Sequence, residues 1–281
     1  MYQQSFRPGG WSILPPVIKN LLIINVIFFL ATITFNSTWG IDLIDKLGLH
    51  YFSAEKFQPY QFITYMFMHG GFGHIFFNMF ALWMFGRVLE NIWGPKRFLF
   101  YYLFTGIGAA LVHYVVFYFE IAPVLDAIHH FQENPSIPLF KEFIDSGSFK
   151  VTSYEIQNHF NAFRIEYNDV VATDPMHALQ LAVDFIGQYK IDFLNQPVVV
   201  GASGAIFGLL LAFGMLFPNS VIYIYFALPI KAKYFVILYG AIELYSGFAD
   251  SGGNVAHFAH LGGMIFGFIL LKYWKANKKL M

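Results

Sequence analysis

Residues 198–217 read VVVGASGAIFGLLLAFGMLF. The stretch carries no charge over twenty residues, about the length a helix needs to cross the hydrocarbon core of a bilayer. A single hydroxyl, Ser203, stands near its start in the sequence GASG. Burying a hydroxyl in hydrocarbon is costly unless it is hydrogen-bonded, so the segment poses two questions: what solvent surrounds it, and what the serine is for.

Composition answers the first. Of the 281 residues, 57% are hydrophobic and 12% charged, about half the charge of an ordinary soluble domain. A membrane protein is expected. There are no cysteines, so disulfides and thiolate metal sites are excluded. The formal net charge is zero, which argues against nucleic-acid binding.

Working outward from 198–217, five more runs have spanning character: 17–37, 72–89, 97–119, 232–248 and 255–274. The predicted class is an all-α membrane protein of six transmembrane helices. The first run is long enough to span and lacks an A-x-A-like site after it, so no cleavable signal peptide is expected.

Charge sets the orientation. With the N-terminus, the 2–3 and 4–5 loops and the C-terminus on one side, that side holds eleven of the 17 basic residues and one acid, Glu90. The positive-inside rule makes it cytoplasmic. A multi-pass protein of a bacterial cytoplasmic membrane, with both termini in the cytoplasm, is expected.

Three regions follow: a membrane core over 1–119, an extracytoplasmic helical insertion over 120–197, and a second core segment with a cytoplasmic tail over 198–281. The insertion carries 11 acids against four bases. Thr152 and Glu155 have capping-box spacing, Asp174 precedes Pro175 as an N-cap would, and Gly187 is read as a stop. Its position before the serine-bearing span suggests a substrate-recruiting or access-limiting cap, against the plainer reading of a lineage-specific decoration. The outer segment 38–71 includes FQPYQFITYMFMHGG, too apolar for a free loop, and is expected to lie at the interface or dip into the bundle.

Polar groups at membrane depth are few and tend to mark function. Span 2 opens with HGGFGHIFFN, giving His69, His74 and Asn78, the last two four apart on one helical face. Span 6 opens with VAHFAHLGGMIFG, giving His257 and His260. A serine in a membrane helix ordinarily packs or bonds to a neighbouring helix, and a histidine at a helix end is ordinarily interfacial. What raises a chemical reading is how the pieces fit. His260, Gly263 and Gly267 share one face, and Gly204 and Gly208 follow the serine. Spans 4 and 6 run parallel, and bare glycine faces let them touch, bringing an imidazole to the hydroxyl. A histidine that takes the serine proton and returns it to a leaving amine is the logic of serine hydrolysis. The Ser203 amide, His74 and Asn78 supply donors for the oxyanion. No carboxylate suitably placed at membrane depth is evident, so a dyad is expected.

These motifs, in order, resemble those of the rhomboid intramembrane serine proteases. HGGFGHIFFN fits the family's H-x4-H-x3-N, GASG its G-x-S-G, and AHLGGMIFG its A-H-x-x-G-x-x-x-G. The resemblance covers roughly 17–119 and 198–274. It implies Ser203 as nucleophile and His260 as general base. His74, Asn78 and the Ser203 amide are implied as the oxyanion site, with His69, Gly201 and Phe207 among the oxyanion and substrate-binding residues. His69 is read as a structural or substrate-side contact, and Phe207 as an aromatic ring packed on the catalytic imidazole. His257 does not fit the motif and is read as a neighbour on the cap side. The family's Trp-Arg pair of the first outer loop has no counterpart in PYQFITYMFMH.

The resemblance further implies no metal or other cofactor, a lipid bilayer as surroundings, and single-span transmembrane proteins as substrates, cut in or near the span. The glycine-rich stretch YSGFADSGGNVA, 245–256, is expected to act as a lid over the site. Two alternatives stand beside proteolysis: a rhomboid-like factor that binds or escorts membrane proteins without cutting them, and a small transporter or channel. The absence of paired repeat halves speaks against the latter.

Overall fold

The structure is a computed structural model describing residues 12–196, 198–224, 227–249 and 254–277. It is 77% helical. In chain order the helices are α1 (Pro16–Trp39), α2 (Leu43–Leu47), α3 (Gln61–Thr64), α4 (Phe72–Trp93), α5 (Pro95–Glu133), α6 (Ile137–Asp145), α7 (Tyr154–Val170), α8 (Pro175–Asn195), α9 (Ser203–Leu216), α10 (Ala232–Ala249) and α11 (Asn254–Ala276). A single 3-10 turn, Tyr65–Phe67, continues α3. Between α9 and α10 lies a two-stranded antiparallel hairpin, β1 (Val221–Ile224) and β2 (Leu228–Lys231), in the register Val221 opposite Lys231. The chain divides into two compact units, one from residues 1–48, 62–113 and 200–281, the other from 49–61 and 114–199.

In the first unit, α9 is the hub. It contacts α4, α10 and α11 and is buried along most of its length. Glycine makes this crowding possible. A Cβ on Gly263 of α11 would fall on the Gly204 carbonyl, and one on Gly267 would meet the Tyr101 hydroxyl and the Gly208 Cα. The glycine faces expected to meet do meet. α5 closes the third side: Tyr101 Oη donates to the Gly208 carbonyl at 2.9 Å, and a Cβ on Gly208 would strike Thr105.

α1 is anchored by a carboxylate from elsewhere. Pro16 opens it, where a missing N–H costs nothing, and the next two amides, Val17 and Ile18, donate to the Glu90 carboxylate of α4 at 2.9 and 2.8 Å. Negative charge at a helix N-terminus satisfies free donors and complements the macrodipole. At the other end Gly40 adopts φ 63 and caps the helix.

Among the described residues, α1, α4 and α5 are long and apolar enough to cross a membrane. α9 is apolar but has only 14 residues. Here the expected helix over 198–217 is corrected: residues 198–202 are not helical. Val199 instead exchanges backbone hydrogen bonds with Leu49, and the Gly201 amide donates to the Tyr65 carbonyl at 2.9 Å. Backbone of this kind is tolerated in a membrane protein only where protein or water satisfies it. The apolar part of 38–71 also leaves solvent: Tyr65, Met66 and Met68 are buried, and Tyr65 Oη donates to the Gly106 carbonyl at 2.7 Å.

The second unit contains the latter part of α5 and helices α6 to α8 around an aromatic core of Phe131, Phe140, Phe143, Phe185 and Tyr189. The helix expected to end at 119 runs on to Glu133, because loss of apolarity marks the end of a span and not of a helix. Asp174 caps α8 as expected, its Oδ1 accepting from the His177 amide at 3.1 Å. Ser153, not Thr152, caps α7, accepting from the Ile156 amide at 3.1 Å. Gly187 does not stop α8, which continues to Asn195; one interior glycine costs about 1 kcal/mol, less than the burial of Tyr189 and Phe193 beyond it returns.

Candidate active site

The site begins with how the chain enters α9. Gly201 has φ +120, a conformation L side chains rarely adopt. The turn delivers Ser203 as the first residue of the helix, and Ala202 before it offers no side-chain cap. The first amides of α9 therefore have no partner within the helix, and such an N-terminus favours negative charge.

The glycine contact between α9 and α11 sets His260 opposite the serine. Ser203 Oγ and His260 Nε2 are 2.8 Å apart. The Phe207 ring, one turn along α9, stacks on the imidazole with centroids 4.3 Å apart and planes 6° from parallel, leaving it little freedom to swing.

On its other side the imidazole meets a carboxylate. His260 Nδ1 lies 2.9 Å from Glu243 Oε2, and His257 Nδ1 lies 2.8 Å from the same oxygen. A carboxylate accepts, so both Nδ1 atoms carry protons and donate. His260 Nε2 is thereby left with its lone pair toward the serine, which donates its O–H. The expectation that no carboxylate stands near is thus corrected: Glu243, from α10, is buried and bonded to the imidazole. Sequence reasoning had a signal for it, a lone acid in the apolar run YFVILYGAIELYSGF, but the run gave no indication of which face it occupied. The ligating atoms of Glu243, His257 and His260 all lie within 4.8 Å of one another, and their two N–H donors are already satisfied by the carboxylate.

His74 and Asn78 of α4 line the same cavity, of about 510 Å³, with Ser203, Phe207, Glu243 and His260. The Gly70 amide donates to His74 Nδ1 at 3.4 Å, which leaves the proton on Nε2. A Cβ built on Gly201 would lie 2.7 Å from His74 Nε2 and 3.6 Å from Ser203 Oγ. The missing side chain thus keeps open a space flanked by a nucleophile-type oxygen and an N–H donor. His69 lies one ring behind: it is buried, packs edge-on against His74 with centroids 5.0 Å apart, and does not line the cavity. The central part of the expected lid, residues 250–253, lies outside the described residues; 245–249 close α10.

The Rhomboid domain model matches residues 56–120 and 172–275, more than half of the chain. The chain belongs to the rhomboid family. The match spans the three motifs and leaves 121–171 uncovered. Among curated relatives, this rhomboid is 42% identical over 57 residues to Rhomboid-like protein 11, chloroplastic, of Arabidopsis thaliana, covering 20% of each chain. It is 27% identical over 107 residues to Rhomboid-like protein 15 of the same plant, covering 38% of this chain and 26% of the relative. To the rhomboid protease GluP of Bacillus subtilis (strain 168) it is 33% identical over 90 residues, 32% of this chain and 18% of the relative. The aligned stretches thus span between 18% and 26% of each relative's length. No solved structure matches. Family and apolar helices together make this rhomboid an integral membrane protein.

Proposed function

We propose that this rhomboid is an intramembrane serine endopeptidase that cuts single-span membrane proteins in or near their transmembrane segment. The observation that carries the reading is the 2.8 Å hydrogen bond between Ser203 and His260, two residues 57 positions apart, on the wall of a cavity large enough for an extended peptide segment. The relative GluP, named a rhomboid protease, supports the same class of chemistry.

Ser203 Oγ attacks the scissile carbonyl while His260 Nε2 takes its proton. The carbonyl oxygen, now negative, sits in the space beside Gly201, receiving hydrogen bonds from the Ser203 amide, His74 Nε2–H and the Asn78 amide group. The C–N bond breaks as the imidazolium returns the proton to the leaving amine. Water entering the cavity then repeats the sequence on the acyl ester, with His260 as base, and frees the serine. A substrate helix must unwind to offer its backbone here, so small or helix-breaking residues near the cut are expected.

The membrane arrangement proposed with it has six crossings, α1, α4, α5, the 198–217 segment, α10 and α11. Both termini lie on the cytoplasmic side and the 120–197 segment on the other. The excess of basic residues at the short inner loops supports this orientation.

The test is cleavage of a reporter membrane substrate by purified protein in liposomes. Ser203→Ala and His260→Ala are each expected to lower the rate by at least about 10³-fold. Full activity in either variant would end the proposal.

A further inference from the structure

We propose that Glu243 is a positioning residue for the His260 base of the Ser203–His260 dyad, with its carboxylate held in turn by His257. The inference rests on the proteolytic reading above and adds to it the source of the base's tautomer.

Neutral histidine has two tautomers, and only the one with its proton on Nδ1 can accept from Ser203 through Nε2. Glu243 Oε2, 2.9 Å from His260 Nδ1, selects that form because a carboxylate has no proton to give. Once the serine proton arrives on Nε2, the ring is a cation facing a buried anion, which favours the charge that develops in the transition state. Phe207 stacking holds the plane of the ring; Glu243 decides which nitrogen faces the serine. A carboxylate alone could rotate away. The hydrogen bond from His257 Nδ1 at 2.8 Å to the same oxygen pins it, and α10 and α11 supply the two ends of this clamp. The other titratable groups around the trio are His74 of α4 and Tyr239 of α10, which line the same cavity.

The experiment compares Glu243→Gln and Glu243→Asp with the parent chain in liposomes, reading kcat and KM separately. Glutamine can donate to Nδ1 and so stabilise the wrong tautomer. Its kcat is expected to fall by about 100-fold or more, with KM held within about threefold. Aspartate keeps the charge and is expected to retain more kcat than glutamine.

Proton NMR on Ser203→Ala, whose fold does not depend on Glu243 being changed, is expected to show downfield imidazole N–H signals from the two carboxylate bonds. Absence of those signals would overturn the proposal, as would Glu243→Gln with kcat within threefold of the parent. So would loss of cleavage on treatment with a zinc chelator and recovery on adding zinc, which would make the trio a metal site. Loss of cleavage in Ser203→Ala beside an unaffected Glu243→Gln sinks the positioning role alone. Cleavage surviving in Ser203→Ala sinks proteolysis and this inference with it.

Discussion

Gly201 shows how one missing side chain shapes the site. A methyl group there would sit 2.7 Å from His74 Nε2, well inside van der Waals contact, while the backbone is held at φ +120, where a Cβ adds strain of its own. Gly201→Ala is therefore expected to fold with an oxyanion space that is filled. Cleavage should fall by about 100-fold or more, the loss typical of a damaged oxyanion site, while the His260–Ser203 bond persists. Kinetics beside a crystal or NMR structure of the variant check it. At this scale the sequence was informative where residues recur in spaced motifs: Ser203, His260, His74 and Asn78 could all be named from spacing. Glu243 could not, because a lone acid in an apolar run announces a buried partner without saying which one. His257 was legible only as a misfit, since its partner lies fourteen residues earlier on a different helix.

The contact between α9 and α11 carries the geometry of His260 and Ser203. Gly263 lies one turn after His260, and any Cβ there would run into the Gly204 carbonyl, backbone that cannot move aside. Gly263→Leu should drive the helices apart and lengthen the 2.8 Å Ser203–His260 separation. The expected result is loss of cleavage together with a lowered thermal midpoint, since overpacking typically costs about 1–3 kcal/mol. Ser203→Ala, by contrast, should lose cleavage with an unchanged midpoint. Equal activity in Gly263→Leu would show that the helices need not touch. The glycine faces were readable because missing side chains at helical spacing have one main use in membrane helices. Element ends were less so. The start of α9 at Ser203 follows Gly201, whose amide bonds to the Tyr65 carbonyl, a distant partner that no local pattern reveals. The Glu90 cap on α1 is of the same kind: its partners, Val17 and Ile18, are more than seventy residues away.

The whole chain lacks cysteine, which makes its arrangement in the membrane open to a clean measurement. A single cysteine at Lys275, near the end of α11, is expected to react with an impermeant thiol reagent only from the cytoplasmic side. A cysteine at Asp169, near the end of α7, is expected to react only from the opposite side. The reverse pattern would invert the proposed orientation, and labelling of both from one side would remove the six-crossing arrangement. Fold class was legible from composition alone, because few charges and long apolar runs leave helices as the economical way to satisfy backbone in lipid. The β1–β2 hairpin and the packing of α6 to α8 were not, since they follow from pairings between segments rather than from any one segment.

The central claim is that Ser203 is a nucleophile activated by His260. Reaction of the purified protein in liposomes with a fluorophosphonate, followed by mass spectrometry of the labelled peptide, tests it most directly. The account predicts a single adduct on Ser203 that disappears in His260→Ala while the variant keeps its fold. An unlabelled Ser203 in folded protein, or labelling that proceeds as fast without His260, would contradict it.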